Sequence, residues 1–429
     1  MLVHKVKVTV IYQKIIVIAL SLFLFSRWSW GAFFPSVFFG GLLAMAALIS
    51  LVIIAKNHSS KSIDLIAVLL LLMILIMVFN SNHELRSAFE SQFFGGYFPI
   101  ICTFPIFLAF QNKIEWVNIF HKCCAIFGLL FAIVTLICLL NNNLYYSYLL
   151  PILQRYYSSV FVYMHPRPDS GFVADYGTNA TYIAYALLAC VSVLVGRSQS
   201  HKKNRKIFLY ITVMVLFAIL IINGKRSTLL GVVVSFLLCY IVLNKERGRL
   251  NKAIVTLTFI VIFILILSFF VPELDLLFRV TTRINDSTDV SNGRLIMWSN
   301  AWSEFLKNPL FGKGWRWFQY KSIYKNDVHN SWLQLLSECG VAGALPFYAF
   351  FILNIRRIFI VLKKMIRTHI DSNVLTMAVF SFVNQIFFLV VIFFSTAFYS
   401  NNTLIIYLLS CAASNYYFRY IIKAKRRDV

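Results

Sequence analysis

The chain has 429 residues, 60% of them apolar and only 13% charged, where soluble domains carry roughly one quarter charged. That balance excludes a soluble globular enzyme and points to a polytopic membrane protein. The formal net charge of +24 would fit a nucleic-acid binder, but the basic residues fall mainly in short clusters between apolar runs, which is how membrane topology is written.

The N-terminus carries Lys5, Lys7 and Lys14 ahead of an apolar run, and no small-residue cleavage site precedes the next span. It reads as a retained first helix rather than a secretory signal. Apolar runs near the length needed to cross a bilayer as helix, about 17 to 25 residues, number about twelve: 15–27, 32–55, 63–79, 94–110, 117–140, 176–195, 207–222, 227–243, 253–270, 332–354, 374–397 and 404–421. The first is short, and the aromatic turn Arg27-Trp-Ser-Trp-Gly after it suits the membrane interface. These runs predict an all-α, single transmembrane domain over 1–429, with about twelve transmembrane helices.

The loops alternate in charge. Arg197, Lys202, Lys203, Arg205 and Lys206 fill one, Lys245, Arg247, Arg249 and Lys252 another, Arg356, Arg357, Lys363, Lys364 and Arg367 a third, and Lys423, Lys425, Arg426 and Arg427 the tail. With an even number of spans all of these share a side with both termini, which the positive-inside rule makes cytoplasmic. Segments 80–92, 141–175, 223–226 and 272–331 then lie on the outer face.

Two of these outer segments are long. Segment 141–175 is dense in tyrosine, with Arg155, His165, Arg167 and Asp169, as an interface-lying amphipathic stretch would be. Segment 272–331, between the ninth and tenth spans, is a large loop in which Leu295, Trp298, Trp302 and Phe305 recur at helical spacing, predicting a helix over 294–306. Asn308-Pro309 stops that helix, and Gly312 and Gly314 turn the chain. No internal repeat or soluble domain is evident.

Candidate site residues gather on the outer face. Arg226, in Asn-Gly-Lys-Arg-Ser-Thr, and Arg294 each offer a planar fork of donors suited to phosphate oxygens. The competing reading is a cation snorkelling from a helix end, Lys225 included. His329 stands at the mouth of a membrane helix, just before Asn330. A neutral imidazole there could accept a proton from a sugar hydroxyl, an imidazolium could neutralise a departing pyrophosphate, and a bland interfacial histidine is the alternative. His83 reads as bland.

Arg167, Asp169 and Asn179 could hold a sugar or a second phosphate, whereas Asp175 and Thr178 read as a helix cap. Asn330 and Arg316 complete the candidate substrate contacts. Most cysteines, such as Cys102, Cys123, Cys124, Cys138 and Cys239, lie inside apolar runs without a Cys-x-x-Cys pair, so neither disulfides nor a metal site is indicated. Phosphate-loop, nucleophile-elbow and His-Glu-x-x-His motifs are absent from the sequence.

Taken in order, Arg167…Gly171-Phe172, Gly224-Lys-Arg226-Ser-Thr, Gly293-Arg294…Trp298…Ala301, Asn308-Pro-Leu-Phe-Gly-Lys-Gly314 and His329-Asn330…Leu333…Leu336…Glu338-Cys-Gly340-Val-Ala-Gly343 resemble the bacterial O-antigen ligase and Wzy-type O-antigen polymerase superfamily. Each motif is weak singly; their order and placement carry the likeness, over roughly 167–343. The resemblance implies a GT-C-like glycosyltransferase of the bacterial inner membrane, acting on its periplasmic face without metal or other cofactor on an undecaprenyl-pyrophosphate-linked glycan. It implies that Arg226 and Arg294 hold the pyrophosphate and that His329 is the essential histidine of the large periplasmic loop. The acceptor would be another lipid-linked repeat (polymerase) or lipid A-core (ligase), and a chain-length regulator and a flippase are the protein partners such a system would bring.

The large outer loop is only mildly basic, Arg279, Arg283, Lys307, Lys313, Arg316, Lys321 and Lys325 being offset by Glu273, Asp275, Asp286, Asp289, Glu304 and Asp327. A ligase facing phosphorylated core would call for a stronger surplus, so polymerase is preferred to ligase. A flippase or transporter for the same lipid-linked sugar ranks lower, because transporters place charge at mid-membrane and this chain keeps its spans nearly free of it.

The alternation of basic loops yields a direct test. Reporter fusions at Ser200, Lys245 and Lys364 should score cytoplasmic, and fusions near Tyr157 and Asn308 periplasmic. Opposite scores for the Tyr157 and Asn308 fusions would break the single-face arrangement.

Overall fold

The computed structural model describes residues 2–26, 36–56, 64–80, 97–111, 115–156, 166–173, 175–196, 203–246, 251–267, 293–323, 325–368 and 371–427. The Trp28–Trp30 turn, His83, Tyr157, His165 and the 268–292 part of the large loop lie outside these residues. In chain order the principal helices are α1 (Leu2–Ser26), α2 (Ser36–Lys56), α3 (Leu65–Phe79), α4 (Phe98–Phe110), α5 (Glu115–Leu140), α6 (Leu150–Tyr156), α7 (Tyr176–Gly196) and α8 (Lys203–Asn223). They continue with α9 (Arg226–Glu246), α10 (Lys252–Leu267), α11 (Arg294–Lys307), the single turn α12 (Trp317–Tyr320), α13 (Ser331–Arg367), α14 (Ser372–Val391) and α15 (Asn401–Arg427).

Among the described residues each of the twelve predicted runs overlaps a helix, the run 374–397 outlasting its helix at Val391, and no strand occurs. Among the described residues seven helices are long and apolar enough to cross a membrane; α1, α3 and α4 contribute shorter apolar stretches. The chain is a polytopic, all-helical membrane protein. Burial separates centre from rim: 78% of the apolar window of α7 and of α14 is buried inside the protein, against 22% for α8. Accordingly α7 packs on α5, α8 and α14, and α14 packs on α9 and α15. The approach of α5 to α7 is close because Gly128 lacks a side chain; a Cβ there would sit 2.4 Å from the Tyr182 carbonyl oxygen and 2.6 Å from Ala186 Cβ. Tyr182 Oη donates to the Leu24 carbonyl (2.7 Å), and Asn402 Nδ2 donates to both that carbonyl and Tyr182 Oη, tying α1, α7 and α15 through buried polar groups.

The tenth run does not form one straight span. Gly340 adopts φ 64° and ψ −175°, a conformation open to glycine, and α13 breaks there. The short piece from Ser331 folds back on the longer part of the helix beyond the break: Tyr348 Oη donates to the Trp332 carbonyl at 2.8 Å, and the Trp332 ring lies 5.2 Å from those of Tyr348 and Phe351. The expectation of a continuous span over 332–354 is thus corrected. Hydropathy does not register the break, because it averages over a window in which apolar residues outweigh Gln334, Ser337 and Glu338.

A broken helix frees backbone groups, and in a membrane each must find a partner within the protein. Here the partner is the turn 308–314. Lys313 N donates to the Ser337 carbonyl and Gly314 N to the Glu338 carbonyl, while Val341 N and Ala342 N donate to the carbonyls of Pro309 and Leu310. The two backbones are pressed together: a Cβ on Gly312 would lie 2.4 Å from Glu338 carbonyl atoms, and one on Gly340 would lie 2.3 Å from those of Leu310. The Asn308–Gly314 and Glu338–Gly343 motifs are two halves of one joint. Asn80, at the end of α3, completes it by donating from Nδ2 to the Glu338 carbonyl and accepting from Trp315 N.

Helix α11 spans Arg294–Lys307 and is capped by Asn308, as the Asn-Pro stop predicts. The apolar residues that predict the helix do not all face inward. Met297, Trp298 and Ala301 turn toward Phe318, Val328 and Leu333, while Leu295 and Trp302 are about half exposed. At a membrane surface an outward apolar side chain carries little penalty, so apolar periodicity alone does not fix the inward phase. In segment 141–175, Asn142–Tyr156 is helical with Tyr145 buried on Cys138, Leu150 and Leu153 and with Tyr146 and Tyr148 outward, the one-sidedness expected of it.

The joint predicts a pair of outcomes. Gly312→Ala and Gly340→Ala should each lose at least the roughly 1–3 kcal/mol of a strained left-handed residue, besides the steric overlap. Gly41→Ala, in α2 where an added Cβ meets nothing within 4 Å, should be neutral or stabilising. Thermal unfolding in detergent and membrane abundance measure both; equal behaviour of the three variants would refute the joint.

Candidate active site

The hairpin between α8 and α9 is built on Asn223 and Gly224 (φ 69°). Arg167 grips Asp169 through Nε (2.9 Å) and Nη2 (2.6 Å), and its Nη2 also donates to the Asn223 carbonyl. Asn223 Nδ2 in turn donates to the carbonyls of Asp169 and Tyr176, and Asn179 Nδ2 donates to the Asp169 carbonyl and Thr135 Oγ1. Burial pushes the Asp169 carboxyl above its usual range, against the opposing pull of Arg167. Arg167, Asp169 and Asn179 therefore brace the hairpin from below. Asp175 caps α7, accepting from Gly177 N, Thr178 N and Thr178 Oγ1, as predicted.

Above this brace stand Lys225, whose Nζ lies 5.1 Å from the centroid of the Tyr176 ring, and Arg226, the first residue of α9. Arg294 is the first residue of α11, behind Gly293 in left-handed backbone. His329 precedes Asn330, which caps α13 by accepting from Leu333 N at 3.1 Å. The site is assembled by α9 and α11 both packing on α13, and by Trp298 Nε1 donating to the Val328 carbonyl at 3.1 Å.

Three helix N-termini thus meet, and none carries an acidic residue in its first turn. Cations at the positive end of a helix dipole oppose the usual preference, which is for Asp or Glu. Two helices that begin with arginine and one preceded by a histidine are an arrangement suited to an anion. Half-buried His329 feels it: burial first, then the charges of Arg294 and Lys225, hold its pKa down at about 4. The imidazole is therefore neutral near pH 7 and able to accept a proton. Its backbone is left-handed (φ 57°), a strain of about 1–3 kcal/mol that persists where the surroundings over-determine it.

Of the predicted site residues, the structure brings together Arg294 and His329 with the Lys225-Arg226 turn. Arg316 is drawn into the joint, its Nη2 donating to the Tyr399 carbonyl and its backbone N to Glu338 Oε2, and Asn330 is drawn into the cap. In the sequence Lys225 is legible only as a snorkelling neighbour of Arg226; its place beside His329 requires the fold. Phe172, just after the Arg167 segment, lines an apolar cavity of about 730 Å³ with Phe25, Phe39, Phe127, Leu130 and Phe131.

Residues 211–348 match the family model described as O-Antigen ligase. The resemblance drawn from the motifs holds across that stretch, which contains Lys225, Arg226, Arg294, Arg316, His329 and Asn330, and leaves Arg167, Asp169 and Asn179 outside. It supports a glycosyltransferase-like membrane enzyme of the O-antigen ligase and polymerase type. No curated protein matches the chain.

The depressed histidine carries a stability signature. Between pH 6.5 and about 4 the unfolded chain binds a proton at His329 that the folded chain refuses, so folding stability falls as pH drops through that window and is unaffected above it. His329→Gln should remove this slope. Detergent unfolding temperatures measured from about pH 7.5 to about pH 4.5 should show the variant gaining on the parent toward acid; a pH-independent difference would mean that His329 titrates normally.

Proposed function

We propose that this chain is an inverting glycosyltransferase of the bacterial inner membrane that moves an undecaprenyl-pyrophosphate-linked O-antigen glycan on the periplasmic face. The observation that carries the reading is a neutral histidine between cations at three converging helix N-termini. An acceptor hydroxyl attacks the anomeric carbon of the donor sugar, forming the new glycosidic bond. His329 takes the hydroxyl proton on a ring nitrogen. The bond from the anomeric carbon to pyrophosphate breaks, and the leaving group departs with the electron pair as undecaprenyl pyrophosphate.

Its charge is met by Arg226, Arg294 and Lys225, preorganised so that no reorganisation is needed as charge develops. The same cations that lower the histidine pKa would be offset by bound pyrophosphate, so the base strengthens once donor is present. The apolar cavity beside Phe172 gives room to part of the isoprenoid tail.

Joining of repeat units is the preferred reaction, on the mild charge of the outer loop. Transfer to lipid A-core is the second reading, favoured by the ligase description of the matching family. The lipopolysaccharide ladder of a deletion strain separates them: loss of a polymerase leaves core bearing one repeat, whereas loss of a ligase leaves core without O-antigen and accumulates lipid-linked polymer.

Arg226→Lys tests the site. Lysine keeps the charge but loses the planar fork. Loss of a charge-assisted contact made in the transition state should cost about 2 to 4 kcal/mol, roughly thirty- to a thousand-fold in transfer rate with purified protein and lipid-linked donor. Near-parental turnover at normal abundance would remove Arg226 from the site and leave a snorkelling side chain.

A further inference from the structure

The two residues before His329 and the residues after it are held by different parts of the fold. Downstream, Ser331 N donates to the Ile392 carbonyl (2.8 Å) and Ser331 Oγ to the Ser395 carbonyl (2.8 Å), anchoring the start of α13 to the end of α14. Upstream the anchor is Gln334, fully buried one turn into α13. Its Oε1 accepts from Val328 N (3.0 Å), and its Nε2 donates to Asp327 Oδ1 (3.0 Å) and to Glu338 Oε1 (3.0 Å). Carboxylates only accept, so the amide nitrogen must face them and the amide oxygen must face Val328.

Glu338 is fully buried, and four donors converge on it: Arg316 N and Tyr399 Oη on Oε2, Phe318 N and Gln334 Nε2 on Oε1. It cannot turn without breaking bonds to the loop and to the segment before α15. The geometry points to Gln334, oriented by Glu338, as the positioning residue that holds His329 in its strained backbone and aims the imidazole at the acceptor hydroxyl. Gln334 touches no substrate; it acts through the Asp327–Val328 backbone. The inference rests on the proposed function, in which His329 is the base.

The test uses the full chain in detergent, with lipid-linked donor, comparing Gln334→Met, Gln334→Glu, Asp327→Asn and His329→Ala. Methionine fills the space but makes none of the three bonds, so kcat should fall roughly ten- to a hundred-fold, the scale of a 1 Å misplacement, with donor KM within about twofold. Asp327→Asn keeps an Oδ1 acceptor and should retain turnover. Gln334→Glu keeps the acceptor for Val328 N but sets a third carboxyl between those of Asp327 and Glu338.

The groups facing the new carboxyl are those two carboxylates, with Arg316 acting on Asp327 and Tyr399 on Glu338, while Arg294 and Lys225 face His329. Like charges raise the pKa of the new group, and once protonated it donates as the amide did. Turnover of Gln334→Glu relative to the parent enzyme, lost near pH 8, should therefore return in part toward about pH 5.5, the parent measured at each pH correcting for proton uptake by His329.

Parental kcat in Gln334→Met at normal abundance, or a folded Gln334→Glu protein without acid recovery, overturns the inference. Failure of both Gln334 variants to accumulate also overturns it, in favour of a role in folding alone. His329→Ala with full turnover sinks the functional reading itself, whereas an inactive His329→Ala beside fully active Gln334 variants sinks this inference alone.

Discussion

The structure depends on a helix that is not allowed to continue. At Gly340 the backbone leaves the helical path, and the carbonyls and amides on either side would lie unsatisfied in an apolar surround, at a cost of several kcal/mol each. Backbone atoms of 309–314 meet them, at a separation that admits no side chain on Gly312 or Gly340. The polar loop is thereby spliced into the transmembrane bundle rather than hung from it. Toward the other end of α13, Arg357 and Arg419 converge on Asp64 and lock the helix to α3 and α15, so the broken segment is set against a fixed support.

The splice bears on the candidate site because it sets the position of α11. With 308–314 fixed, Arg294 is delivered to the start of α13, and the Trp298 to Val328 bond closes the gap to His329. The cations gathered there repel one another and oppose the dipoles of α9 and α11, so the resting site is electrostatically uncomfortable. Under the proposed function a bound pyrophosphate would relieve that discomfort, and binding energy of this kind can be directed at the developing charge of a leaving group.

Much of this is legible in the sequence. Lipid-length apolar runs place the helices, Asn308-Pro309 ends α11, and Asp175 caps α7, because each rests on a local rule. The break at Gly340 is not, since hydropathy averages over a window in which apolar residues outweigh Gln334, Ser337 and Glu338. Nor is the inward phase of α11, where Leu295 and Trp302 face outward at no great cost. Polar residues divide by whether their partners are local or distant. Asn330 and Arg316 read as substrate contacts, yet Asn330 bonds within a cap and Arg316 bonds within the joint, at Glu338 and Tyr399. Lys225 reads as a helix-end cation until the fold sets it beside His329.

The segment 166–179 shows why a site of this kind needs more chain than the residues that face its anion. It lies outside the stretch that matches the family model, and the side chains of Arg167, Asp169 and Asn179 are spent within it, on Asn223 and on Thr135. A forked pair such as Arg167 with Asp169, largely shielded from water, is costly to break from one side, about 3–5 kcal/mol when one partner is removed. That stiffness passes through the Asn223 and Gly224 turn to Lys225 and Arg226. Arginines aimed at a leaving group contribute in proportion to how little they must move as charge develops. The brace beneath the hairpin and the splice behind α11 are thus equivalent devices, one for each arginine, and the histidine lies where the two meet.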